Sequence, residues 1–365
     1  MQTSVHFPAE AKNLRWSLRQ RVLNQLQADT SATDFESLAL AVFRYQAAYN
    51  PIYRSFISHL SVRPDAVSAL HQIPFLPISF FKSQAVRTGN IPAAHTFISS
   101  GTTGSLTSRH YLADPDLYEQ VSRRIFEQVY GPLDRCHILA LLPSYLERNN
   151  SSLVYMVQRF MERTGSRQSN FYLNDLDALT ERLRYLTEHP DGRKVLLIGV
   201  TFGLLDWAES DRDLSFAGRH PNLVVMETGG MKGRRQELLR EEVHEILLQR
   251  LGLKVIHSEY GMTELLSQAY SPGAGIFHNP ATLRVLLRDI NDPFHLYAPG
   301  AGGRRTGGIN VVDLANLDSC AFIETQDLGQ YAGPENKTPN HSVSGFRVVG
   351  RFDNSDVRGC NLMVV

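Results

Sequence analysis

A short run of small polar residues and glycines is the first feature of the sequence that can do chemistry. It comprises Ser99, Ser100, Gly101, Thr102, Thr103 and Gly104 and directly follows the predicted strand 96–98. Glycines let the backbone approach a ligand closely, and consecutive N–H groups with hydroxyls form a concave donor surface for anions such as phosphates. The run is not the usual P-loop, because no Lys follows it in a GxxxxGK[ST] pattern. From this run alone, an anion site and a polar turn both stay open.

A second candidate site is the segment 259–264 (EYGMTE), which follows the predicted strand 254–258. Open α/β sheets bind ligands in loops at the carboxyl ends of parallel strands, and this segment has that position. Tyr260 can stack on a base, Thr263 can donate to a phosphate, and Glu264 can hold Mg²⁺ through a carboxylate oxygen. The alternative is a capped helix start, with Thr263 and Glu264 in the first turn.

Two further candidates lie near the end of the chain. Asp327, in an Asp-Leu-Gly sequence after a predicted strand, can accept hydrogen bonds from both hydroxyls of a ribose, although Asp-x-Gly is also common turn chemistry. Arg351 belongs to the segment 350–353 (GRFD), which closes another predicted strand. That segment leads to Cys360, the third cysteine of the chain.

The elements that must position these residues alternate between strands and helices from about residue 95 onward. Helical periodicity is found over 115–130, with Asp114 as a plausible N-cap, and over 152–163. Short apolar runs between the helices predict buried strands at 136–142, 194–199, 222–226 and 254–258. This alternation predicts a mostly parallel sheet.

The two ends of the chain have different patterns. Apolar residues at spacings of three and four predict helices over 10–60, whereas Pro74 and Pro77 make 72–81 an extended connector. Alternating segments among Gly, Pro, Asp and Asn predict antiparallel strands and hairpins near the C-terminus. We therefore predict one large α/β core, residues 1–349, that ends in a small β-rich portion. A hinge-like segment and tail, residues 350–365, would follow it.

Composition excludes several classes of protein. The chain has 365 residues with 37 Lys+Arg and 37 Asp+Glu, and this net charge of zero argues against a nucleic-acid binder. The three cysteines are too few and too far apart for a disulfide framework or a CxxC metal site, and Cys136 and Cys320 are predicted core residues. No apolar stretch is long enough to span a membrane, and the N-terminus lacks a signal-peptide pattern. We therefore expect a cytoplasmic protein without membrane insertion.

The motifs SSGTTG, YGMTE, DLG and GRFD occur in this order, and the distances are 163 residues from Gly101 to Glu264, 63 to Asp327 and 26 to Asp353. In this order they resemble the adenylate-forming superfamily of acyl- and aryl-CoA synthetases, firefly luciferase and peptide-synthetase adenylation domains. A closer resemblance, over about residues 70–365, is to the acyl-protein synthetase (LuxE-type) family. It is carried by FLPISFFKS (75–83), SSGTTGSLTSRHYLADPDLY (99–118), LPSYLERNNSSLVYM (142–156), LLIGVTFGLLDW (196–207), TGGMKGRR (228–235), EYGMTELLSQAYS (259–271), GGINVVDLANLDSCAFIETQDLG (307–329) and the ending RGCNLMVV.

This resemblance implies a fold and a reaction. The fold is the large N-terminal domain of an adenylate-forming enzyme, an α/β structure with a small β-barrel-like portion, here lacking the usual mobile C-terminal domain. The reaction uses ATP and Mg²⁺ to convert a fatty or similar carboxylic acid to an acyl adenylate. The acyl group then moves to a cysteine near the C-terminus, here Cys360, and on to a partner, an acyl-protein reductase.

The resemblance also implies roles for individual residues. The nucleotide-binding positions are Ser99, Ser100, Gly101, Thr102, Thr103, Gly104, Thr228, Gly229, Gly230, Tyr260, Gly261, Thr263, Asp327 and Arg351, with the Thr-Gly-Gly segment beside the adenine. Glu264 is the implied Mg²⁺ ligand. The lysine of the superfamily's C-terminal domain is missing, and Lys82 and Arg109 are the catalytic candidates to replace its charge. Lys82 is equally well interpreted as an ordinary exposed lysine. The wall of the acid pocket would come from residues 200–205 and 261–266.

Two alternatives to self-acylation stay open. The acyl acceptor can instead be coenzyme A or an acyl-carrier protein, as in related phenylacetate-CoA ligases. The chain can also be a non-catalytic subunit that binds acyl or nucleotide ligands for a partner enzyme. Intact SSGTTG, Glu264 and Asp327 argue against the second alternative, and the missing lysine argues slightly for it.

Overall fold

The computed structural model describes residues 7–27, 32–100, 106–143, 150–173, 175–230, 238–298, 305–332 and 345–352. The predicted site residues outside these ranges are Gly101, Thr102, Thr103, Gly104 and Cys360. The predicted division of the chain between residues 349 and 350 stays a prediction, because the tail beyond Phe352 also lies outside the described residues.

Three helices form the first part of the chain, as the apolar spacing over 10–60 predicts. They are α1 (Ala9–Gln25), α2 (Ala32–Tyr49) and α3 (Pro51–His59). Helix α3 begins at a cap, since the side-chain oxygen of Asn50 accepts a hydrogen bond from the N–H of Tyr53 at 3.0 Å and Pro51 takes the first helical position. An ion pair between Arg15 of α1 and Asp318 fixes the helices to the C-terminal part of the chain.

The connector after these helices is extended only in its middle. A 3₁₀ turn at Leu70–Gln72 is followed by strand β1 (Leu76–Pro77) and the one-turn helix α4 (Phe80–Ser83). Pro77 is tolerated in β1 because this strand lies at the edge of its sheet. The predicted extended connector over 72–81 is therefore correct for its centre and wrong for its end, which is helical.

A six-stranded sheet with the order β5-β4-β6-β7-β8-β9 lies in the middle of the chain. Its strands are β4 (Cys136–Leu141), β5 (Asn170–Phe171), β6 (Lys194–Gly199), β7 (Leu223–Glu227), β8 (His257–Tyr260) and β9 (Ala269–Ser271). All neighbouring pairs from β5 to β8 are parallel, and β9 runs antiparallel to β8. The prediction of a mostly parallel sheet is confirmed. Strand β8 begins later than the predicted strand 254–258, and Val255 is exposed instead of paired.

Helices cover both faces of this sheet. They are α5 (Pro115–Tyr130), α6 (Ser152–Thr164), α7 (Leu176–Glu188), α8 (Thr201–Ala208) and α9 (Arg240–Leu251). Side chains along β4 alternate between two hydrophobic cores, with Ile138 and Ala140 in the first and Leu139 and Leu141 in the second. The first core includes the apolar faces of α5 and α6, and the second includes those of α7 and α9. Both faces of β4 are buried, which explains why the strand is apolar without interruption from Ile138 to its end.

The C-terminal strands form a separate antiparallel sheet, as predicted. They are β10 (Leu283–Arg288), β11 (Thr306–Asp313), β12 (Phe322–Tyr331) and β13 (Phe346–Arg351), and β1 joins them in parallel with β12. A two-stranded antiparallel ribbon of β2 (His95–Ile98) and β3 (Arg109–Leu112) lies between α4 and α5 in the chain. The mixed α/β class predicted from the sequence is confirmed. In the described part of the chain, every helix is too short or too polar to cross a membrane.

Candidate functional site

A cavity of about 200 Å³ lies where the carboxyl ends of the parallel strands meet the ribbon β2–β3. Its lining residues come from segments that are far apart in the sequence, and they are Ile98, Ser100, Tyr118, Leu142, Pro143, Ser151, Ser152, Leu153, Val154, Met156, Val200, Thr228, Gly229, Gly230, Glu259, Gly261, Met262, Thr263, Leu265 and Gln268. This is the position expected for a ligand site in an open α/β sheet. The structure thus brings two of the four predicted motifs, SSGTTG and YGMTE, to one cavity through residues that it describes, and the Thr-Gly-Gly segment 228–230 joins them there. Asp327 and Arg351, which belong to the other two motifs, lie outside the lining.

The ends of the loop that contains SSGTTG are held together by a pair of serines. The N–H of Ser99 donates to the carbonyl of Ser108 at 3.0 Å, and the N–H of Ser108 donates to the Oγ of Ser99 at 2.9 Å. These bonds use the hydroxyl of Ser99 in closing the loop, whereas Ser100 lines the cavity. The phosphate-binding role of the loop stays a prediction, because its centre, 101–104, lies outside the described residues.

Glu264 lies buried beside the base of this loop. Its carboxylate forms a hydrogen bond with Ser108, and burial raises the pKa of its carboxyl group. The segment around it forms turns after β8 and not a helix, so the alternative of a capped helix start is wrong. A buried carboxylate fits a Mg²⁺ ligand, since Mg²⁺ is usually held by one or two carboxylates and completed by substrate phosphates. No cluster of three or more potential metal ligands occurs among the described residues.

Three residues that sequence reasoning missed hold the segment 261–268 in place. The ring of His110 donates from Nδ1 to the carbonyl of Thr263 at 2.8 Å, because a carbonyl oxygen can only accept. Asn316 donates from Nδ2 to the carbonyl of Glu264 at 2.7 Å, and Asp313 accepts from the N–H of Leu266 at 2.7 Å. Burial lowers the pKa of His110 to about 4, so this histidine is neutral near pH 7. These contacts join residues that are far apart in sequence, and no local pattern signals them.

Tyr260 lies below the cavity, with its hydroxyl directed at Asp327. Its ring packs against Phe277 and Phe346, with ring centroids 5.8 and 5.4 Å apart. The hydroxyl donates to Oδ2 of Asp327 at 2.9 Å. The predicted stacking of Tyr260 on a base stays a prediction, and the observed contact gives its hydroxyl a second role, which is to orient Asp327.

Asp327 and Arg351 face each other across β12 and β13, where they are register partners. The Nε of Arg351 lies 3.7 Å from Oδ1 of Asp327, and the side chain of Arg351 is 67% exposed against 17% for Asp327. Burial raises the pKa of Asp327, although the charge of Arg351 and the hydrogen bond from Tyr260 oppose this effect. Asp327 and Arg351, which the resemblance both assigns to nucleotide binding, are therefore adjacent in the C-terminal sheet.

The Thr-Gly-Gly segment 228–230 is anchored by a buried glutamate that sequence reasoning also missed. Glu227, at the end of β7, accepts from the N–H of Gly229 at 2.7 Å and from Nε of Arg240 at 2.9 Å. Burial works to raise the pKa of Glu227, but a hydrogen bond from His244 and the charge of Arg240 lower it to about 2. Gly229 and Gly230 have φ angles of +72° and +87°, and no atom lies near a Cβ built on either, so glycine is required here by conformation and not by space.

Arg240 also connects this segment to the C-terminal sheet. Its Nη1 donates to the carbonyl of Val348 in β13 at 3.0 Å, and its guanidinium lies over the ring of Phe277 at 5.0 Å. The same side chain therefore contacts the strand that contains Arg351 and the carboxylate that holds the Thr-Gly-Gly segment.

The two candidate cations, Lys82 and Arg109, are both exposed and lie on neighbouring elements. Arg109 in β3 pairs with Ile98, the residue just before the SSGTTG run, and Lys82 lies in α4, whose Phe81 contacts the ring of His110. Within the described ranges, neither side chain forms an ion pair. Their catalytic role stays a prediction.

The two segments predicted to form the wall of the acid pocket contribute unequally to this cavity, and their contact with an acid stays a prediction. The segment 261–266 lines the cavity through four residues, but of 200–205 only Val200 does, because Leu204 and Leu205 pack into the second core. The remaining apolar lining comes from α5, α6, Ile98, Leu142 and Pro143. Cys136 and Cys320 are buried free thiols, which confirms their prediction as core residues, and burial raises the pKa of Cys320 to about 12.

These elements define a mixed α/β protein with a cavity at the carboxyl ends of parallel strands and buried carboxylates around it. The chain belongs to the acyl-protein synthetase (LuxE) family, which matches residues 20–365. One similar solved structure is the crystal structure of a mutant form of coronafacic acid ligase from Pectobacterium brasiliense, with 15% identity and a TM-score of 0.37. That similarity covers 60% of this chain, and the chain spans 39% of the ligase. A comparison with curated proteins finds no match.

Proposed function

We propose that this protein uses ATP to activate a carboxylic acid as an acyl adenylate and then transfers the acyl group to its own Cys360. Membership of the acyl-protein synthetase family supports a synthetase activity. The observation that carries the proposal is the convergence of Ser100, the Thr-Gly-Gly segment and Thr263 on one cavity, with Glu264 buried beside it. These residues come from three segments that are far apart in the sequence.

The first step joins two anions. A carboxylate oxygen of the acid attacks the α-phosphorus of ATP, a new carbonyl-O–P bond forms, the bond between the α-phosphorus and its bridging oxygen breaks, and pyrophosphate leaves. Bound Mg²⁺ supplies positive charge that offsets the phosphates. Glu264 would hold this ion, and Asp327 would accept hydrogen bonds from the ribose hydroxyls. Lys82 or Arg109 would contribute positive charge beside the attacking carboxylate and the α-phosphate.

The second step needs a thiolate. The sulfur of Cys360 attacks the acyl carbon, a C–S bond forms, the bond from carbon to the phosphate oxygen breaks, and AMP leaves. Cys136 and Cys320 are unsuited to this step because burial raises the pKa of both thiols. A fatty acid as substrate and an acyl-protein reductase as the next acceptor are the partners that family membership suggests.

One experiment separates this proposal from its alternatives. The protein is incubated with ATP, Mg²⁺ and candidate acids, pyrophosphate release is followed, and the intact mass is recorded. We expect a hydroxylamine-labile acyl adduct that disappears in Cys360→Ser while pyrophosphate exchange is retained. Exchange without an adduct, but with acyl-CoA formed on addition of coenzyme A, would replace self-acylation by transfer to coenzyme A. A lack of exchange with every acid would favour a non-catalytic binding subunit.

Replacement of Glu264 tests the metal assignment. Glu264→Gln should lower the rate of pyrophosphate exchange at least about tenfold, because an amide is a weaker ligand than a carboxylate for Mg²⁺. Glu324→Gln is the matched control, since Glu324 is a partly buried glutamate 3.5 Å from Arg288 and does not line the cavity. An unchanged rate in Glu264→Gln, or an equal loss in both variants, would refute the role of Glu264.

A further inference from the structure

Two polar side chains interrupt the apolar part of the cavity. Glu259 and Gln268 are 6% and 3% exposed, and both belong to the lining. Around them the cavity is bounded by apolar side chains such as Leu142, Met156 and Val200. Polar groups that are buried in this way normally have a hydrogen-bond partner, and an unpaired one requires an explanation.

The side-chain amide of Gln268 uses its hydrogen-bond donor but not its acceptor. Its Nε2 donates to the carbonyl of Leu266 at 3.2 Å, whereas its Oε1 is buried and has no hydrogen-bond partner in the described part of the chain. The backbone just before it is fixed, because Asp313 accepts from the N–H groups of Leu266 and Ser267 at 2.7 and 3.0 Å. Gln268 therefore keeps a hydrogen-bond acceptor at the cavity wall.

The carboxyl group of Glu259 lies over the backbone of Gly261, since a Cβ at Gly261 would come within 2.3 Å of its Oε1. Among the described residues, this carboxyl group has no hydrogen-bond partner. Burial and the nearby charge of Glu227 raise the pKa of Glu259 to about 8. Tyr270 is the register partner of Glu259 across β8 and β9, and within the described ranges its buried hydroxyl also has no hydrogen-bond partner.

Building on the proposed adenylation, we propose that Glu259 and Gln268 form a polar subsite for a hydrogen-bond donor on the acid, a hydroxyl or an amino group. An unsubstituted alkyl chain in this cavity would leave the acceptor of Gln268 and the carboxyl group of Glu259 without partners. A site built to bind a donor discriminates strongly against the analogue that lacks it, because its own polar groups are then unpaired. The subsite therefore selects a hydroxy- or amino-substituted acid over a plain fatty acid.

Calorimetric titration of free acids into the intact protein tests this subsite without requiring turnover. The probes are two matched sets: octanoate with its omega-hydroxy and omega-amino derivatives, and phenylacetate with its para-hydroxy and para-amino derivatives. We expect a substituted acid of one set to bind at least about tenfold more tightly than its parent, which corresponds to about 1.4 kcal/mol. Preference for the amino derivative would identify a cationic donor, and preference for the hydroxy derivative a neutral one. Equal or undetectable binding of substituted and parent acids in both sets would overturn the subsite.

Variants assign the preference to the two residues. Gln268→Leu should reduce the ratio of the two dissociation constants towards one, whereas Met156→Leu, a change of similar volume in the apolar lining, should leave the ratio within about twofold. Glu259→Gln provides a second variant of nearly identical shape, and it should lose a preference for an amino group while retaining one for a hydroxyl. An unchanged ratio in both Gln268→Leu and Glu259→Gln would refute the assignment.

Pyrophosphate release with the same acids separates the subsite from the proposed function. Preferential binding of a substituted acid without pyrophosphate release would support the subsite and reject adenylation. Release with parent and substituted acids at equal efficiency, together with equal binding, would support adenylation and reject the subsite.

Discussion

The contact between Tyr260 and Asp327 gives the sharpest test of the nucleotide site. Tyr260→Phe removes only the hydroxyl, which donates to Oδ2 of Asp327 at 2.9 Å, and keeps the ring between Phe277 and Phe346. A hydrogen bond to a charged group contributes about 1.5–3 kcal/mol. After its loss, the ionised carboxylate is favoured only by the charges of arginines, of which Arg351, 3.7 Å away and mostly exposed, has the largest effect among the described residues.

The variant should therefore bind ATP less well, because an Asp327 that is more easily protonated and less well oriented is a weaker acceptor for ribose hydroxyls. At the upper end of the range for such a hydrogen bond, about 3 kcal/mol is lost. If about half of this free energy appears in ATP binding, the KM for ATP in pyrophosphate exchange rises about tenfold. The KM for the acid should change little.

Tyr53→Phe is the matched control, since it removes a buried hydroxyl that donates to the carbonyl of Pro74 at 2.6 Å, outside the cavity lining. Both variants should lose stability in urea unfolding, by about 1 kcal/mol or more. Only Tyr260→Phe should change the KM for ATP. An unchanged KM for ATP in Tyr260→Phe, with a stability loss like that of Tyr53→Phe, would refute the idea that Asp327 binds the ribose.

Two further predictions concern buried charges near the same edge of the sheet. Arg240→Gln should lower the free energy of unfolding in urea by about 3 kcal/mol, because it leaves the buried carboxylate of Glu227 without the charge of Arg240. Arg284→Gln is the control, since Arg284 lies over the ring of Phe35, and an equal loss of stability in this variant would contradict the reasoning. The pKa of Glu259 is raised to about 8, so the folded state binds the proton of this carboxyl group more tightly than the unfolded state does. The contribution of Glu259 to stability therefore falls as the pH rises from about 4.5 to about 8. Glu259→Gln should therefore have a higher free energy of unfolding than wild type, and the difference should grow over this pH range by at most about 5 kcal/mol. A difference in unfolding free energy that does not depend on pH would contradict the raised pKa.

The sheet framework could be predicted because its signals are local. Strands β4 and β6 contain continuous apolar runs. Helix α5 is capped by Asp114, whose side chain accepts from the N–H of Leu117 at 2.9 Å. The sequence predicts a start for strand β8 that is too early, because an apolar run, KVI, precedes the strand and periodicity cannot show that Val255 faces solvent. Short apolar runs therefore predict that a strand is present, but they do not fix the residue at which it begins or ends.

The candidate site was predictable only where residues form motifs. Motifs next to predicted strands identify Glu264, Asp327 and Arg351 as candidates. In the structure Glu264 lies in the turns after β8, Asp327 lies within β12, and Arg351 is the last residue of β13. His110, Asp313 and Arg240 hold those motifs through contacts across long sequence separations, such as the 153 residues between His110 and Thr263. Such contacts depend on the tertiary fold, so no local pattern reveals them.

The division of the central sheet between two cores has a consequence for changing this protein. Most of the apolar lining of the cavity belongs to the first core, among it Tyr118, Met156 and Leu265, and none of the described lining residues belongs to the second core. The face covered by α7 and α9, around Trp207, has no part in the cavity lining. Substitutions on that face can raise stability while acid selectivity is altered on the opposite face of the same sheet, and the two sets of changes should combine additively where their side chains share no contacts.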